Sequence, residues 1–498
     1  MSRVFLIITI LAFSNVFAQA QKVSGIVFLD SNNNSVFDVQ EKPLKNIGIS
    51  NGKDIVVTND SGEYEIACIP GNLVFLLKPS GYISKTNKNN TVQNYFNPLE
   101  LGMFKTVNFP LYIHPEGNNV KVALLGDVQV DVIDDVFHVG KLVTEELIDN
   151  KPDLIIPLGD LSFDNLEIFN PLSQVLGLVG APVFYVIGNH DLDFKEVKFR
   201  DRDLSFEKNF GPSYYSFEYG NNLFLILNDI YPLSNGNYEG RIDDEQLKFI
   251  ENVIHLKGKK YQSINLAMHI PLEELENKDA LINLLKPFKD VFLACGHTHT
   301  QYHNYFKRAS LSSIHELVCG AVCGSWWQGV HDIRGIPFAM MDDGTLKGYW
   351  FMDVEDNNRH FNYKVSGAET SKQINIWVPE VNEWDTALNT LNEPYVYANV
   401  FAADDYTTVE ISFDNGAWQP MEKHLGIAPE LKSFYKKQLL GRYKGQKISK
   451  VPNPNISSRH LWKIKIPDTL SNAAHLVKVK AINNKLFLNA KGNRVLWN

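Results

Sequence analysis

The chain is poor in cysteine, carries no surplus of positive charge, and has no long apolar run beyond its first twenty residues. Its four cysteines, Cys68, Cys295, Cys319 and Cys323, contain no CxxC spacing, which excludes a cysteine-based metal site. Cys68 and Cys295 lie in the apolar runs "YEIACIP" and "VFLACGH" and read as small buried hydrophobes. Cys319 and Cys323 either pair in an oxidising compartment or sit unpaired in the core. Lys and Arg number 48 against 57 Asp and Glu, a formal charge of −9, and this argues against a dedicated binder of duplex nucleic acid. Repeats and low-complexity tracts are absent too.

The one long apolar stretch stands at the start. Arg3 precedes "VFLIITILAF", and Ala18, Gln19 and Ala20 offer small residues for cleavage. The stretch is short for a membrane span, and no cysteine follows to take a lipid. A signal peptide is expected over 1–20, with the mature chain secreted or periplasmic and free of transmembrane segments.

The 498 residues, 44% hydrophobic and 21% charged, suffice for several ordinary globular domains. Over 21–117, short apolar runs broken by Asn, Gly, Ser and Asp predict a small β-sandwich-like domain. Over 118–345 strand-like runs alternate with helical stretches, the pattern of an α/β domain. "KVALLGD", "DLIIPLGD", "PVFYVIGNHD", "SINLAMH" and "VFLACGH" read as buried strands, "DDVFHVGKLVTEELIDN" and "DDEQLKFIENVIHL" as helices, and "YYSFEYGNNLFLILND" as a hairpin. Over 346–498 the chain becomes β-rich again, with an Asn-Gly hairpin turn at "FDNGAW", and a C-terminal β-sandwich is expected.

Five polar clusters follow five of the strand-like runs: Asp127 with Gln129, Asp160, Asn189-His190-Asp191, His269, and His297 with His299. Polar groups past the carboxyl ends of strands are where α/β domains place active sites. Asp, Asn, His and Gln suit hard to borderline divalent cations, and one carboxylate such as Asp160 can bridge two of them. Asp127 and Gln129, two apart, are expected to face the same way along a strand.

This order of motifs, GD-x-Q, GD, GNHD, H and GHTH, resembles the calcineurin-like metallophosphoesterase superfamily. "CGAVCGSWWQG" and "DDGTLKGYW", with β-domains on either side, resemble a bacterial exported branch of three domains. The resemblance implies a calcineurin-like core, a β-sandwich flanked by helices, between the two β-domains. It implies two divalent metal ions: Asp127, Gln129, Asp160 and His299 holding the first, and Asp160, Asn189, His269 and His297 the second. It implies attack on phosphorus by a hydroxide bridging the ions, with His190 protonating or stabilising the leaving oxygen. Asp191 is expected to orient His190 or to cap the following segment. Gln129 stands where many members carry His. Its neutral, hard amide oxygen favours Mn, Mg or Fe over Zn, with Mn the first choice.

Asn165 is expected to contact substrate, steady Asp160 or cap a helix. Trp326 and Trp327 are expected either to line a substrate mouth or to be buried against the C-terminal domain. Separately, in "DSNNNSVFDVQE", Asp30, Asn32, Asn34, Asp38 and Glu41 occupy positions 1, 3, 5, 9 and 12 of a calcium loop, with the Val36 carbonyl at 7. Position 6 is Ser35 where such loops carry Gly, and a metal-free Asn-rich hairpin is the alternative.

The function expected from the resemblance is an exported phosphomonoesterase or small-molecule phosphodiesterase acting on nucleotides, sugar phosphates or phosphodiesters. The competing expectation is a catalytically silent glycan-binding protein on the same scaffold.

Overall fold

The computed structural model describes residues 21–101, 106–195, 199–355, 358–444 and 451–497. The expected signal peptide, 1–20, lies outside the described residues.

The central region is two facing sheets. Its strands are β1 (Val120–Leu125), β2 (Leu154–Pro157), β3 (Tyr215–Tyr219), β4 (Asn222–Ile226), β5 (Ser263–Ala267), β6 (Asp290–Cys295), β7 (Gln301–Arg308), β8 (Leu311–Cys319), β9 (Gly348–Glu355) and β10 (Asn358–Val365). One sheet runs β2-β1-β9-β10, the other β3-β4-β5-β6-β8-β7. Val122 and Leu124 of β1 share a core with Phe292 and Ala294 of β6, while Ala123, Leu125, Leu293 and Cys295 pack in a second core with the helices. Both faces are therefore buried, which is why these strands read as unbroken apolar runs. β1 and β2 are parallel, as are β4, β5, β6 and β8, so the carboxyl ends within each sheet lie along one edge.

The expected strand at "PVFYVIG" forms only isolated bridges, Thr91 and Ile155 with Val183 and Leu158 with Val186. Its neighbour Pro157 has no N–H to donate, which interrupts the ladder, although Val186 N still reaches Pro157 O at 3.0 Å. The helix expected after β1 forms over 133–150, with a widened turn at Gly140–Thr144. The second helix is Asp244–Lys257, capped by Asp243, whose carboxylate accepts from Gln246 N at 2.8 Å.

The N-terminal region is two small sheets, with its own core around Val27, Ile49, Tyr64, Leu76 and Leu111. Buried Lys78 anchors it to the centre, pairing with Glu116 at 2.6 Å and donating to Glu218 O at 2.7 Å. The C-terminal region is two four-stranded sheets. The "FDNGAW" hairpin is there, with Asp414 and Asn415 at φ +49° and +62° as its turn requires. The boundary expected at 345/346 needs correction. The β9–β10 hairpin lies beyond it, yet β9 pairs with β1 along Val120–Leu124. One apolar core then continues from Trp350 and Tyr363 to Val396 and Ile411 of the C-terminal sandwich. All four cysteines are buried and free.

Candidate metal centre

β1 ends at Leu125, and the chain beyond it leaves the strand conformation. Asp127, Gln129, Asp160, His297 and His299 have φ of +30°, +44°, +45°, +71° and +51°. Side chains rarely adopt this left-handed region, and it recurs where function over-determines the backbone. Strand alternation is therefore not what aims Gln129. Each strained residue is held by its neighbours: Gln129 N donates to Asp160 O at 2.7 Å, and His297 N to Asp127 Oδ2 at 2.8 Å. The last contact joins the loop after β1 to the loop after β6, bringing the strand ends of both sheets to one place.

Two motif glycines are there because nothing larger fits. A Cβ on Gly188 would lie 2.0 Å from Asp160 N and 2.3 Å from its Oδ1. A Cβ on Gly296 would lie 2.3 Å from Asp127 Oδ2.

All seven expected ligands come together. His269 Nε2 lies 3.3 Å from Asp160 Oδ1, 3.1 Å from Asn189 Oδ1 and 3.2 Å from His297 Nδ1. Donor atoms of Asp160, His269 and His297 all fall within 4.8 Å of one another. On the other side, His299 Nε2 lies 3.7 Å from Asp127 Oδ1, and Gln129 Nε2 lies 3.3 Å from Asp160 Oδ2. Asp160 thus turns one oxygen to each group. Gln129 faces the site with its amide nitrogen, and its Oε1 lies 3.7 Å from Cys323 Sγ. Ligation through oxygen needs a half-turn of the amide.

The imidazoles are oriented by backbone carbonyls. His269 Nδ1 contacts Leu158 O at 2.8 Å and His299 Nδ1 contacts Gly324 O at 2.6 Å. Both Nδ1 atoms must carry hydrogen, so in the neutral rings both Nε2 lone pairs point at carboxylates. Acceptors facing acceptors require a positive centre between them. Burial alone would lower His269, but Asp160, Asp127 and Asp229 outweigh it and hold the ring up at about 10. Burial, reinforced by the charge on His269, pushes His297 down to about 3, and burial pushes His299 to about 4. Burial raises Asp127 well above the carboxylate range, and Asp160 adds to this. The buried O/N donor set fits divalent metals, whose charge would answer the facing carboxylates and Nε2 lone pairs.

His190 stands beside the cluster, partly exposed, with Nδ1 2.7 Å from Asp164 Oδ1 and its ring 4.8 Å from that of Phe163. The expected orienting role of Asp191 is corrected here. Its carboxylate is buried and accepts from Leu161 N, Ser162 N, Ser162 Oγ and Gly188 N at 2.9–3.2 Å. It ties the Asp160 and Asn189 loops together. Asn165 neither touches Asp160 nor caps through its side chain; its Nδ2 donates to Asp131 O at 2.7 Å. The tryptophans divide. Trp326 is 39% exposed with its ring 4.8 Å from that of His299. Trp327 is 5% exposed and donates to Val128 O at 3.1 Å, inside the central core and not against the C-terminal domain. Asp30, Asn32, Asn34, Val36, Asp38 and Glu41 lie on a separate loop of the N-terminal region.

Sequence reading missed three contributors. Asp164 carries His190. Asp229, after β4, accepts from His269 N at 3.1 Å and Ile270 N at 2.7 Å; "LILND" had the same signature of an acid after an apolar run. The loop after β8 packs on Asp127, with Val322 N on Gly126 O at 2.8 Å and Cys323 N on Asp127 O at 3.2 Å.

Comparison with known families agrees with this geometry. The N-terminal domain description of calcineurin-like phosphoesterase matches 31–112, calcineurin-like phosphoesterase itself matches 120–301, and the C-terminal domain description matches 316–485. The chain belongs to the calcineurin-like metallophosphoesterases, as a member with all three domains. Among solved structures, a dimetal phosphatase from Danio rerio is similar at 14% identity and TM-score 0.36, covering 50% of this chain and 99% of its own. The purple acid phosphatase PPD1 of yellow lupin (Lupinus luteus) is similar at 13% identity and TM-score 0.38, covering 66% and 67%. No curated protein matches.

Proposed function

We propose that the protein is an exported, metal-dependent phosphoric ester hydrolase acting on small phosphorylated molecules, as a phosphomonoesterase or small-molecule phosphodiesterase. The observation that carries this is the convergence of Asp127, Gln129, Asp160, Asn189, His269, His297 and His299 beside the His190–Asp164 pair. Divalent cations held there would supply Lewis-acid polarisation of a phosphate ester and a more acidic water.

The chain's own groups do the rest. Asp160 faces both halves of the cluster and is the residue placed to be shared between them. Leu158 O and Gly324 O hold His269 and His299 with Nε2 presented inward. Asp164 occupies His190 Nδ1, which leaves Nε2 to give a proton to the departing ester oxygen. Trp326, half-exposed beside His299, offers an apolar face at the mouth to the organic part of a substrate. Manganese is the favoured ion, with Fe, Mg and Zn as alternatives.

The test is metal-stripped protein reloaded separately with Mn²⁺, Mg²⁺, Fe²⁺ and Zn²⁺, and assayed on nitrophenyl phosphate, bis-nitrophenyl phosphate, nucleotides and sugar phosphates. Hydrolysis of one ester class, best with Mn²⁺, is expected. Metal-free, inactive protein that retains polysaccharide would overturn the proposal in favour of a glycan-binding role. A best response to Zn²⁺ would overturn the metal preference alone.

A further inference from the structure

The loop 30–41 contains two buried carboxylates, Asp30 and Glu41, that no basic side chain among the described residues pairs with. Asp30 is 3% exposed and Glu41 is 5% exposed. Among the described residues no Lys, Arg or His side chain forms an ion pair with Asp30, Asp38 or Glu41. Burying unpaired carboxylates is costly, and proteins do so where a partner charge or a metal is bound. Asp30 Oδ1 is buried with no hydrogen-bond partner among the described residues. Its other oxygen accepts from Ser35 N at 2.8 Å and from Tyr112 Oη at 3.0 Å.

The backbone already follows the path that a calcium loop takes. Ser35, at position 6, has φ +61°, the left-handed turn for which such loops use glycine, so the serine does not break the pattern. Glu41, at position 12, is aimed inward by Ser31 N on Oε1 at 2.8 Å and Asp38 N on Oε2 at 3.1 Å. Asn32 Oδ1 and Asn34 Oδ1 each accept one backbone N–H, at 3.1 and 2.7 Å, and each keeps a second lone pair. Their amide nitrogens both reach Asp38 Oδ2, at 2.8 and 3.0 Å, so positions 3, 5 and 9 are gathered. Phe37 packs on buried Phe28, ring centres 5.3 Å apart, and fastens the loop to the first strand of the domain.

We propose that Asp30, Asn32, Asn34, the Val36 carbonyl, Asp38 and Glu41 bind one calcium ion, which fixes this loop against Tyr112 and so against the strand Phe109–Ile113. The donors are all oxygen, and an irregular loop of this kind suits calcium better than magnesium, which demands a small octahedron. The site is structural and independent of the phosphoesterase centre.

The experiment uses the full chain with its central site preloaded with Mn²⁺. Calcium titration is expected to show one added ion per chain with Kd of about 10⁻⁴–10⁻³ M, the range of extracellular calcium modules, and a higher melting temperature. Terbium in place of calcium is expected to luminesce on tyrosine excitation, because Tyr112 touches the Asp30 carboxylate. Asp30→Asn and Glu41→Gln should each abolish the calcium-dependent shift and the terbium emission, and Tyr112→Phe should dim the emission while keeping the shift. The proposal is overturned if the unmutated protein shows neither signal, or if Asp30→Asn and Glu41→Gln keep both. The unmutated titration decides even if a variant fails to fold, and neither readout involves ester hydrolysis.

Discussion

His190 Nδ1 lies 2.7 Å from Asp164 Oδ1, whereas the adjacent Asp191 turns its carboxylate away into the backbone amides of Leu161, Ser162 and Gly188. Asp164 and Asp191 therefore have separable roles, one on the imidazole and one on the loops beneath it.

Their substitutions should separate too. His190→Ala is expected to lower kcat on phenyl phosphate by about 10²–10⁴-fold, the usual worth of general acid catalysis. The loss should be smaller on nitrophenyl phosphate, whose leaving group departs without a proton. Asp164→Asn should cost about fivefold, as for one orienting hydrogen bond of ~1 kcal/mol, with the same dependence on leaving group. Equal losses on both esters would remove the assignment. Asp191→Ala should instead lower the melting temperature, because it strands buried N–H groups at a cost of about 1–3 kcal/mol each.

Gly188→Ala and Gly296→Ala should displace Asp160 and Asp127, since the new methyl would sit 2.3 Å from a carboxylate oxygen of each. A shift of about 1 Å in such a group costs roughly 10² in rate. Metal content by elemental analysis should fall in parallel. Gly117→Ala, at an exposed glycine outside the left-handed region whose Cβ would meet nothing closer than Asn119 O at 3.5 Å, is the control and should keep both.

The two tryptophans should respond oppositely. Trp327→Ala removes a buried ring and its bond to Val128 O, and should destabilise by about 3–5 kcal/mol in urea unfolding. Trp326→Ala should change stability by about 0.5 kcal/mol or less and act on KM. Unchanged KM across nucleotide and sugar-phosphate substrates would place Trp326 outside the mouth.

Gln129→His should move the metal preference toward Zn²⁺, because imidazole is a softer donor than an amide oxygen. Competition between Mn²⁺ and Zn²⁺ for the stripped protein is the measurement. An unaltered ratio would mean that Gln129 supports the site only through Asp160 and Cys323.

Stability should depend on pH through Glu316, which accepts from Leu272 N at 2.7 Å and Asn304 Nδ2 at 2.8 Å. Burial raises its carboxyl from 4.5 to about 7. Between those values the folded chain keeps a proton that the unfolded chain has lost, so stability falls as pH rises. The contribution is fully present below 4.5 and gone above about 7, an effect of order 3 kcal/mol. Glu316→Gln should flatten this part of the unfolding free energy between pH 5 and 8. An identical slope in the variant would exclude Glu316 as its source.

The sequence alone determined the local facts. Apolar runs closing in a polar residue, after Gly in all but the His269 run, marked the strand ends that hold Asp127, Asp160, His269 and His297, because a doubly buried strand must end where polar groups can find partners. The spacing at 30–41 and the hairpin turn within "FDNGAW" were legible for the same reason, that turns and loops are set by neighbours a few residues apart, although the central pair of that turn is Asp414-Asn415 and not Asn415-Gly416. What the tertiary structure decided is which distant segments meet. Asp164 and not Asp191 takes His190, because loop direction past Asp160 depends on left-handed residues that no periodicity records. The β9–β10 hairpin joins β1 across more than 200 residues, and strand pairing at that range is specified by complementary faces, not by local pattern. Trp326 and Trp327 differ by one position in the chain, yet one faces the mouth and the other the core, a choice made by the Val128 carbonyl on the opposite loop.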